Sequence, residues 1–340
     1  MAATLDDIAQ ELGISKGTVS KALNGAKDVS RRMQRSVLEK AVELGYSRLN
    51  RNTAAPRVAI FITNMDWAKP EDFGYDMVMG FRQVAEPAGY HVSIVPLDTE
   101  MQRSMRYDEY MMMENYCGSL VLGMSLLDPW IREFETCKTP TVLYDNHISG
   151  NPKVTHIGVD SLEGIQLAFD HLRSLGHEKI GYLSGALEAY VFQQRHQSFC
   201  QVMTRMGLTP DESSMGSAYH INVCLSLHLP RLLKNGCTAI ICSHDNLARS
   251  VMEHCTQLGM QIPRDISILG YDDLPVSSTT QPPLTTIRQN RLALGKCAFY
   301  ALLSQLDGVP VSTHLLHAEL IQRSSCGPVA KADPAVPSAE

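Results

Sequence analysis

From residue 58 onward the chain alternates short apolar runs with longer stretches of helical periodicity, and this alternation restricts the architecture more than any other feature. The runs 58–62, 91–95, 119–122, 140–144, 179–183, 238–242 and 266–269 are short and apolar, as strands covered on both faces are. Between most of them lie amphipathic patterns over 75–85, 162–175, 193–206 and 246–258. A parallel strand pair needs a crossover long enough to hold a helix, so the pattern predicts parallel sheets with helices on both faces. About 270 residues are more than one doubly wound layer usually needs, so two lobes are expected.

The first 57 residues follow a different rule. Thr4-Leu-Asp-Asp7 is a capping-box arrangement opening a helix with Leu5, Ile8, Ala9 and Leu12 on one face, and Gly13 stops it. After Ile14, Ser15 is placed to cap a second helix running to about Asn24, with Val19, Ala22 and Leu23 inward. That pair makes a helix-turn-helix. Ser30 then caps a third helix carrying Met33, Val37, Leu38, Ala41 and Leu44, ended by Gly45 where a left-handed residue is needed. The expected division is therefore an all-α head over 1–46, a linker over 47–57, a core over 58–326, and a disordered Ala- and Pro-containing tail over 327–340.

Charge supports a separate role for the head. Residues 1–57 hold ten Lys/Arg against six Asp/Glu, within a chain of formal net charge -6. A basic head on an acidic body suits DNA contact by the head alone. A recognition helix needs small residues near its N-terminus and a polar, partly basic outer face, so that its backbone approaches the major groove closely. Ser15, Lys16, Gly17, Thr18, Ser20 and Lys21 supply both. Lys16 and Lys21 reach for guanine edges or phosphates, while Thr18 and Ser20 suit phosphates or thymine methyls. With Thr4 and Asn24 at the flanks, these form the expected DNA-contacting set. The competing reading is a plain solvated helical hairpin, and the third helix weighs against it.

Motifs for catalysis are missing. There is no GxSxG elbow, GxGxxG turn, P-loop or HExxH pair. The nine cysteines have irregular spacing and no CxxC pair, so reduced thiols are expected. His254-Cys255 and the group Cys237, Cys242 and His244 lack zinc-site spacing. No catalytic residue, metal or cofactor is expected. Nor is a signal peptide or membrane span, since no run of about 18 apolar residues occurs. The cytoplasm is the expected location. Met111-Met-Met113 reads as helix core filler.

The residues also carry a family resemblance. Thr4-Leu-Asp-Asp-Ile-Ala-Gln-Glu-Leu-Gly-Ile-Ser-Lys-Gly-Thr-Val-Ser-Lys-Ala-Leu-Asn24, followed by Val29-Ser30 and Gly45-Tyr46, resembles the DNA-binding head of the lac repressor family. His171-Leu-Arg-Ser-Leu-Gly-His-Glu-Lys-Ile-Gly181, Asp265-Ile-Ser-Ile-Leu-Gly-Tyr-Asp-Asp273 and Pro282-Pro-Leu-Thr-Thr-Ile-Arg-Gln289 resemble segments of its body, so the likeness covers about residues 3 to 326. It implies a helix-turn-helix head on a two-lobed, periplasmic-binding-protein-like (type I) α/β core, with lobes at about 58–158 with 290–317 and about 159–289 with 318–326. It implies a homodimer on a near-palindromic double-stranded operator, one head per half-site, with Lys16 and Gly17 at the positions most responsible for base choice. It places the dimer contact on the first lobe with the returning helix near residues 291–303. One departure stands out: family members usually carry a hinge helix and a leucine that wedges into the minor groove. Here the eleven residues 47–57 place alanine where that leucine is expected, which implies weaker kinking or a partly disordered hinge, with Leu49 as a candidate substitute.

Ligands of open parallel sheets bind beyond the carboxyl ends of the strands. The residues just after the predicted strands are Asp145, His244, Asp245 and Asp272, and Arg195 begins the helix after 179–183. The resemblance puts Arg195 and Asp272 at the family's ligand-gripping positions, and His244 where Asn is more usual. An Arg fork and an Asp acceptor suit vicinal hydroxyls, although a plain salt bridge is the alternative. Trp67 and Tyr219 are candidates to stack on a ring, with ordinary packing as the alternative. The expected effector is a sugar or sugar phosphate, with a purine or nucleoside second. A transport solute-binding protein or a sugar-processing enzyme are the competing functions, opposed by the basic head and the missing motifs.

Overall fold

The computed structural model describes residues 3–26, 28–46 and 55–329. The expectations for the wedge and for Leu49 fall on 47–54, and most of the expected disordered tail on 330–340; both lie outside the described residues.

The head forms because each helix is stopped and started by its own sequence. Helices α1 (Leu5–Leu12), α2 (Lys16–Leu23) and α3 (Arg31–Glu43) follow Thr4, Ser15 and Ser30, whose side chains accept from the backbone N–H groups of Asp7, Thr18 and Met33. The Thr4 and Asp7 capping box is complete. Gly13 ends α1 at φ 64°, a left-handed position that costs glycine least. Ile8, Val19, Val37 and Ala41 are fully buried in the shared core.

The chain as a whole divides into two compact units, Met1–Gly158 with Arg291–Leu315, which includes the head, and Val159–Asn290 with Leu316–Glu340. In the first, β1 (Arg57–Ile62), β2 (His91–Pro96), β3 (Tyr116–Leu122), β4 (Thr141–Tyr144) and β5 (Val154–Val159) pair in parallel in the order β5-β4-β3-β1-β2. β1, β3 and β4 are almost wholly buried, which explains their unbroken apolar runs. Helices α4 (Tyr75–Ala85), α5 (Thr99–Ser104) and α6 (Tyr107–Met113) belong to this unit. Of the methionine run, Met111 fills the unit's core, Met112 packs against the head cluster and Met113 is exposed. Beside Met112, Glu109 of α6 lies 4.0 Å from Arg35 of α3, so the head rests on α6.

In the second unit, β6 (Ile180–Ser184), β7 (Met215–Ser217), β8 (Ala239–Cys242), β9 (Ser267–Asp272) and β10 (Thr285–Arg288) are parallel, in the order β10-β9-β8-β6-β7. Helices α7 (Ser161–Ser174), α8 (Tyr190–Arg205), α9 (Ile221–Val223), α10 (Leu229–Lys234), α11 (Asp245–Gln257) and α12 (Pro275–Thr279) surround them. The chain returns to the first unit in α13 (Arg291–Leu306), adds β11 (Thr313–Leu316) beside β5, and ends the second sheet with β12 (Glu319–Ile321), antiparallel to β10. No helix among the described residues is long and apolar enough to cross a membrane.

Burial of neutral histidines sets an acid limit on stability. Burial, with His147 adding to it, drives His156 down to about 4, and burial with the nearby Arg195 charge does the same to His244. The unfolded imidazole titrates near about 6.5, so acidification favours the unfolded chain. This stability is fully present above the unfolded value and is lost as the pH falls from there toward about 4. The urea midpoint is therefore expected to drop between about pH 7 and pH 5, and to drop less in His156→Asn. An identical pH dependence in that variant would contradict the assignment.

Candidate DNA interface and effector site

Helix α2 presents Lys16, Gly17 and Lys21 to solvent, with Thr18 and Ser20 half-buried at its flank. Lys16 pairs with Asp6 at 2.7 Å and Lys21 with Asp28 at 2.6 Å, all four side chains more than half exposed. Exposed pairs of this kind are worth about 0–1 kcal/mol, so either ammonium exchanges its carboxylate for a phosphate or base edge at little cost. A Cβ on Gly17 would meet only the Ser15 hydroxyl, at 3.7 Å, so this turn offers bare backbone to an approaching surface. Ser15 and Thr18 share a hydroxyl hydrogen bond of 2.9 Å. The Thr4 hydroxyl is engaged with Asp7 in the capping box, and the Asn24 amide folds back to donate to the Ser20 carbonyl at 2.8 Å.

In the second unit the carboxyl ends of four strands contribute to one polar assembly. Arg195, in the second turn of α8, is buried; it donates to the Ser243 carbonyl just beyond β8 and lies 3.2 Å from the Asp272 carboxylate at the end of β9. Its guanidinium sits 3.8 Å from the centroid of the Tyr271 ring, a cation–π stack that fixes the fork's plane. Gln289, directly after β10, donates to the same Asp272 oxygen at 2.7 Å. The Ser243 hydroxyl accepts from the Gly185 N–H just after β6, at 3.0 Å. Asp272 holds φ at 112° and Asp273 at 52°, conformations that cost a non-glycine residue about 1–3 kcal/mol each and persist only where surroundings enforce them.

His244 caps α11, its Nδ1 accepting from the Leu247 N–H at 3.2 Å. An imidazole that is neutral and accepts at Nδ1 carries its proton on Nε2, so His244 is a hydrogen-bond donor at its far edge. Phe192 lies against it, ring centroids 5.4 Å apart. Arg195, Asp272 and His244 are thus brought together with an aromatic wall.

The other expected effector contacts fare differently. Asp245 is engaged within the chain. It is fully buried, and its two oxygens accept from the Leu274 N–H at 2.8 Å and from the Ser277 and Thr286 hydroxyls at 2.6 Å each. Burial, with the Asp272 charge adding to it, pushes this carboxyl up. Its three donors come from the chain itself, so it ties α12 and β10 to α11 rather than facing a ligand. Tyr219 is 78% exposed, with its ring edge on His220 and not on the strand-end group. Asp145 and Trp67 belong to the first unit. Asp145 follows β4 at φ 50°, its N–H donating to the Ile157 carbonyl at 2.9 Å, and Trp67 is half-buried in the loop after β1 beside Gly74.

Tyr271, Phe192, Gln289 and Ser243 were not singled out from sequence. Gln289 had the best signal available, since it follows a strand as Asp272 does. The others depend on how α8 lies on the sheet.

Comparison with known proteins agrees with the head-and-core fold. Residues 4–48 match the family model "Bacterial regulatory proteins, lacI family", and residues 169–326 match a periplasmic binding protein-like domain. The HTH-type transcriptional regulator MalR of Streptomyces coelicolor is 28% identical over 336 residues, covering 96% of this chain and 97% of its own. The HTH-type transcriptional repressor CytR of Escherichia coli is 28% identical over 332 residues, covering 95% and 96%. Among solved structures, the lac repressor dimer bound to operator and an anti-inducer superposes with a TM-score of 0.64 at 24% identity, covering 96% of this chain and 100% of that one. The complex of the transcriptional regulator CelR with cellobiose reaches 0.68 at 22% identity, covering 95% and 99%. Both structures share the fold. With its helix-turn-helix head and its two parallel-sheet units, the chain carries a head of the lacI family of bacterial regulatory proteins joined to a periplasmic binding protein-like core, and along nearly its whole length it is similar to DNA-binding transcriptional regulators.

Proposed function

We propose that the chain is a repressor that binds a near-palindromic operator as a homodimer, one head per half-site, and that a small hydroxyl-bearing effector held by Arg195, Asp272 and His244 changes its operator affinity. The DNA contacts are Ser15, Lys16, Gly17, Thr18, Ser20 and Lys21, with Thr4 and Asn24 at the flanks. The observation that carries the effector reading is the buried Arg195–Asp272 pair at the carboxyl end of β9. Desolvating two charges is costly, and a stability role alone is weak grounds for retaining such a pair. An Arg fork, an Asp acceptor and the His244 Nε2 donor complement the alternating donors and acceptors of vicinal hydroxyls. A sugar or sugar phosphate is the preferred class, with nucleosides second. The repressor sense follows relatives named as repressors, and a regulator that binds an operator would act in the cytoplasm.

Thermal-shift screening of sugars, sugar phosphates and nucleosides tests this. Arg195→Ala strands the Asp272 charge in a buried setting and lowers the baseline melting temperature, so the informative quantity is the ligand-induced rise. A hit whose rise disappears in Arg195→Ala is the expected result. A rise of equal size in the variant removes Arg195 from the site.

A further inference from the structure

Directly after Asp272, Asp273 takes up a second positive-φ conformation, and its carboxylate is gripped from two sides. The Arg288 Nε donates to one oxygen at 2.7 Å and an Arg323 terminal nitrogen to the other at 2.6 Å. Neither arginine swings freely. Arg323 also donates to the Leu284 carbonyl at 2.8 Å, and its backbone N–H donates to the Thr285 hydroxyl at 3.0 Å. Arg288 is anchored by Glu319 at 3.2 Å, its cross-strand partner on β12, and stands opposite Asp272 in the register of β9 and β10. Burial works against the Asp273 charge, yet the two arginines hold its carboxyl below the usual carboxylate range.

We propose that the Asp273–Arg288–Arg323 clamp is the positioning element of the effector site: by holding Asp273 it enforces the strained turn that aims the Asp272 carboxylate at Arg195 and Gln289. Released from the clamp, residues 272 and 273 relax toward negative φ, since no glycine stands at either position. The Asp272 carboxylate then leaves Arg195, and the guanidinium loses the partner that orders it. The clamp also draws on two of the three passages of the chain between units, because Arg288 lies just before the crossing at Asn290 and Glu319 just after the crossing at Leu316. The inference rests on the proposed effector site for its consequence, but the geometry it predicts is measurable without any effector.

The experiment is side-chain NMR on the full-length protein labelled with 15N-arginine, with the Arg195 Nε–Hε signal identified by its loss in Arg195→Lys. Asp273→Asn is expected to speed solvent exchange of that proton by about tenfold, Arg323→Gln to do the same, and Arg323→Lys to restore slow exchange. The urea midpoint is followed on the same samples. Unchanged Arg195 exchange alongside a lowered midpoint would show that the clamp only stabilises the fold, and would overturn the proposal. Should Asp273→Asn fail to fold, Arg288→Gln on the more exposed side of the clamp answers the same question. Faster Arg195 exchange in a protein for which no effector can be found would leave the clamp standing and count against the effector reading alone.

Discussion

Replacing Lys16 and Lys21 with alanine is expected to weaken binding to the protein's own upstream DNA by about 100-fold or more while leaving the fold intact. A good side-chain contact to a base edge contributes about 1–3 kcal/mol, and in a symmetric dimer each substitution counts twice. Both side chains are more than half exposed and their ion pairs with Asp6 and Asp28 contribute little to the head's stability, so the loss appears in binding. Lys16→Ala alone should relax base choice in each half-site. Lys21→Ala alone should weaken all sequences alike and flatten the salt dependence by about one ion per head. Fluorescence anisotropy over a salt series separates the two. Equal operator affinity in the double variant would remove α2 from the DNA.

The largest expected loss of stability comes from two glycines where helices meet backbone to backbone. A Cβ on Gly80 of α4 would stand 2.1 Å from the Leu292 carbonyl oxygen, and one on Gly295 of α13 would stand 2.1 Å from the Met77 carbonyl oxygen. No side chain can yield, because the obstructing atoms are backbone. Either valine substitution must force α4 and α13 apart and uncover Phe81 and Phe299, whose rings pack at 5.4 Å. A cost of about 3 kcal/mol or more is expected for Gly80→Val or Gly295→Val in urea denaturation. The double variant should lose less than the sum, since the first substitution already opens the contact. A midpoint matching the parent's would mean that the helices are not in contact as described.

Sequence patterns revealed much of the fold because its signals are local. Thr4, Ser15 and Ser30 act within three residues of themselves, so the head could be read almost entire. Of the strands missed, β5, β7, β10, β11 and β12, two, β5 and β10, carry polar residues whose burial depends on distant partners. Thr155 and His156 interrupt β5, yet both are buried, with the Thr155 hydroxyl donating to the Val311 carbonyl. Thr285 and Thr286 make β10 look like a loop until Ser325 and Asp245 are brought to them. β11 is mostly exposed and has no apolar run to find.

The same distinction runs through the proposed effector site. Arg195, Asp272 and His244, on which the proposal rests, were singled out by their places after strands or at the start of the following helix, the first two also by resemblance. The position of Asp245 obeys the same rule, but its hydrogen-bond partners Ser277 and Thr286 lie more than thirty residues away and could not be read from it. Tyr271, part of a strand, gave no sign that its face carries a guanidinium, and the Asp273 clamp depends on Arg323 from the end of the chain.

The most direct test of the account is operator affinity with and without the ligand found by thermal shift, in the parent and in Arg195→Ala. Coupling between two sites typically amounts to about 1–3 kcal/mol, so the ligand should change the parent's dissociation constant by about 5- to 150-fold and leave the variant's unchanged. By reciprocity, operator DNA should change the parent's affinity for the ligand by the same factor. An operator affinity indifferent to a ligand that binds at Arg195 would contradict the claim that this chain couples an effector site to its DNA-reading head.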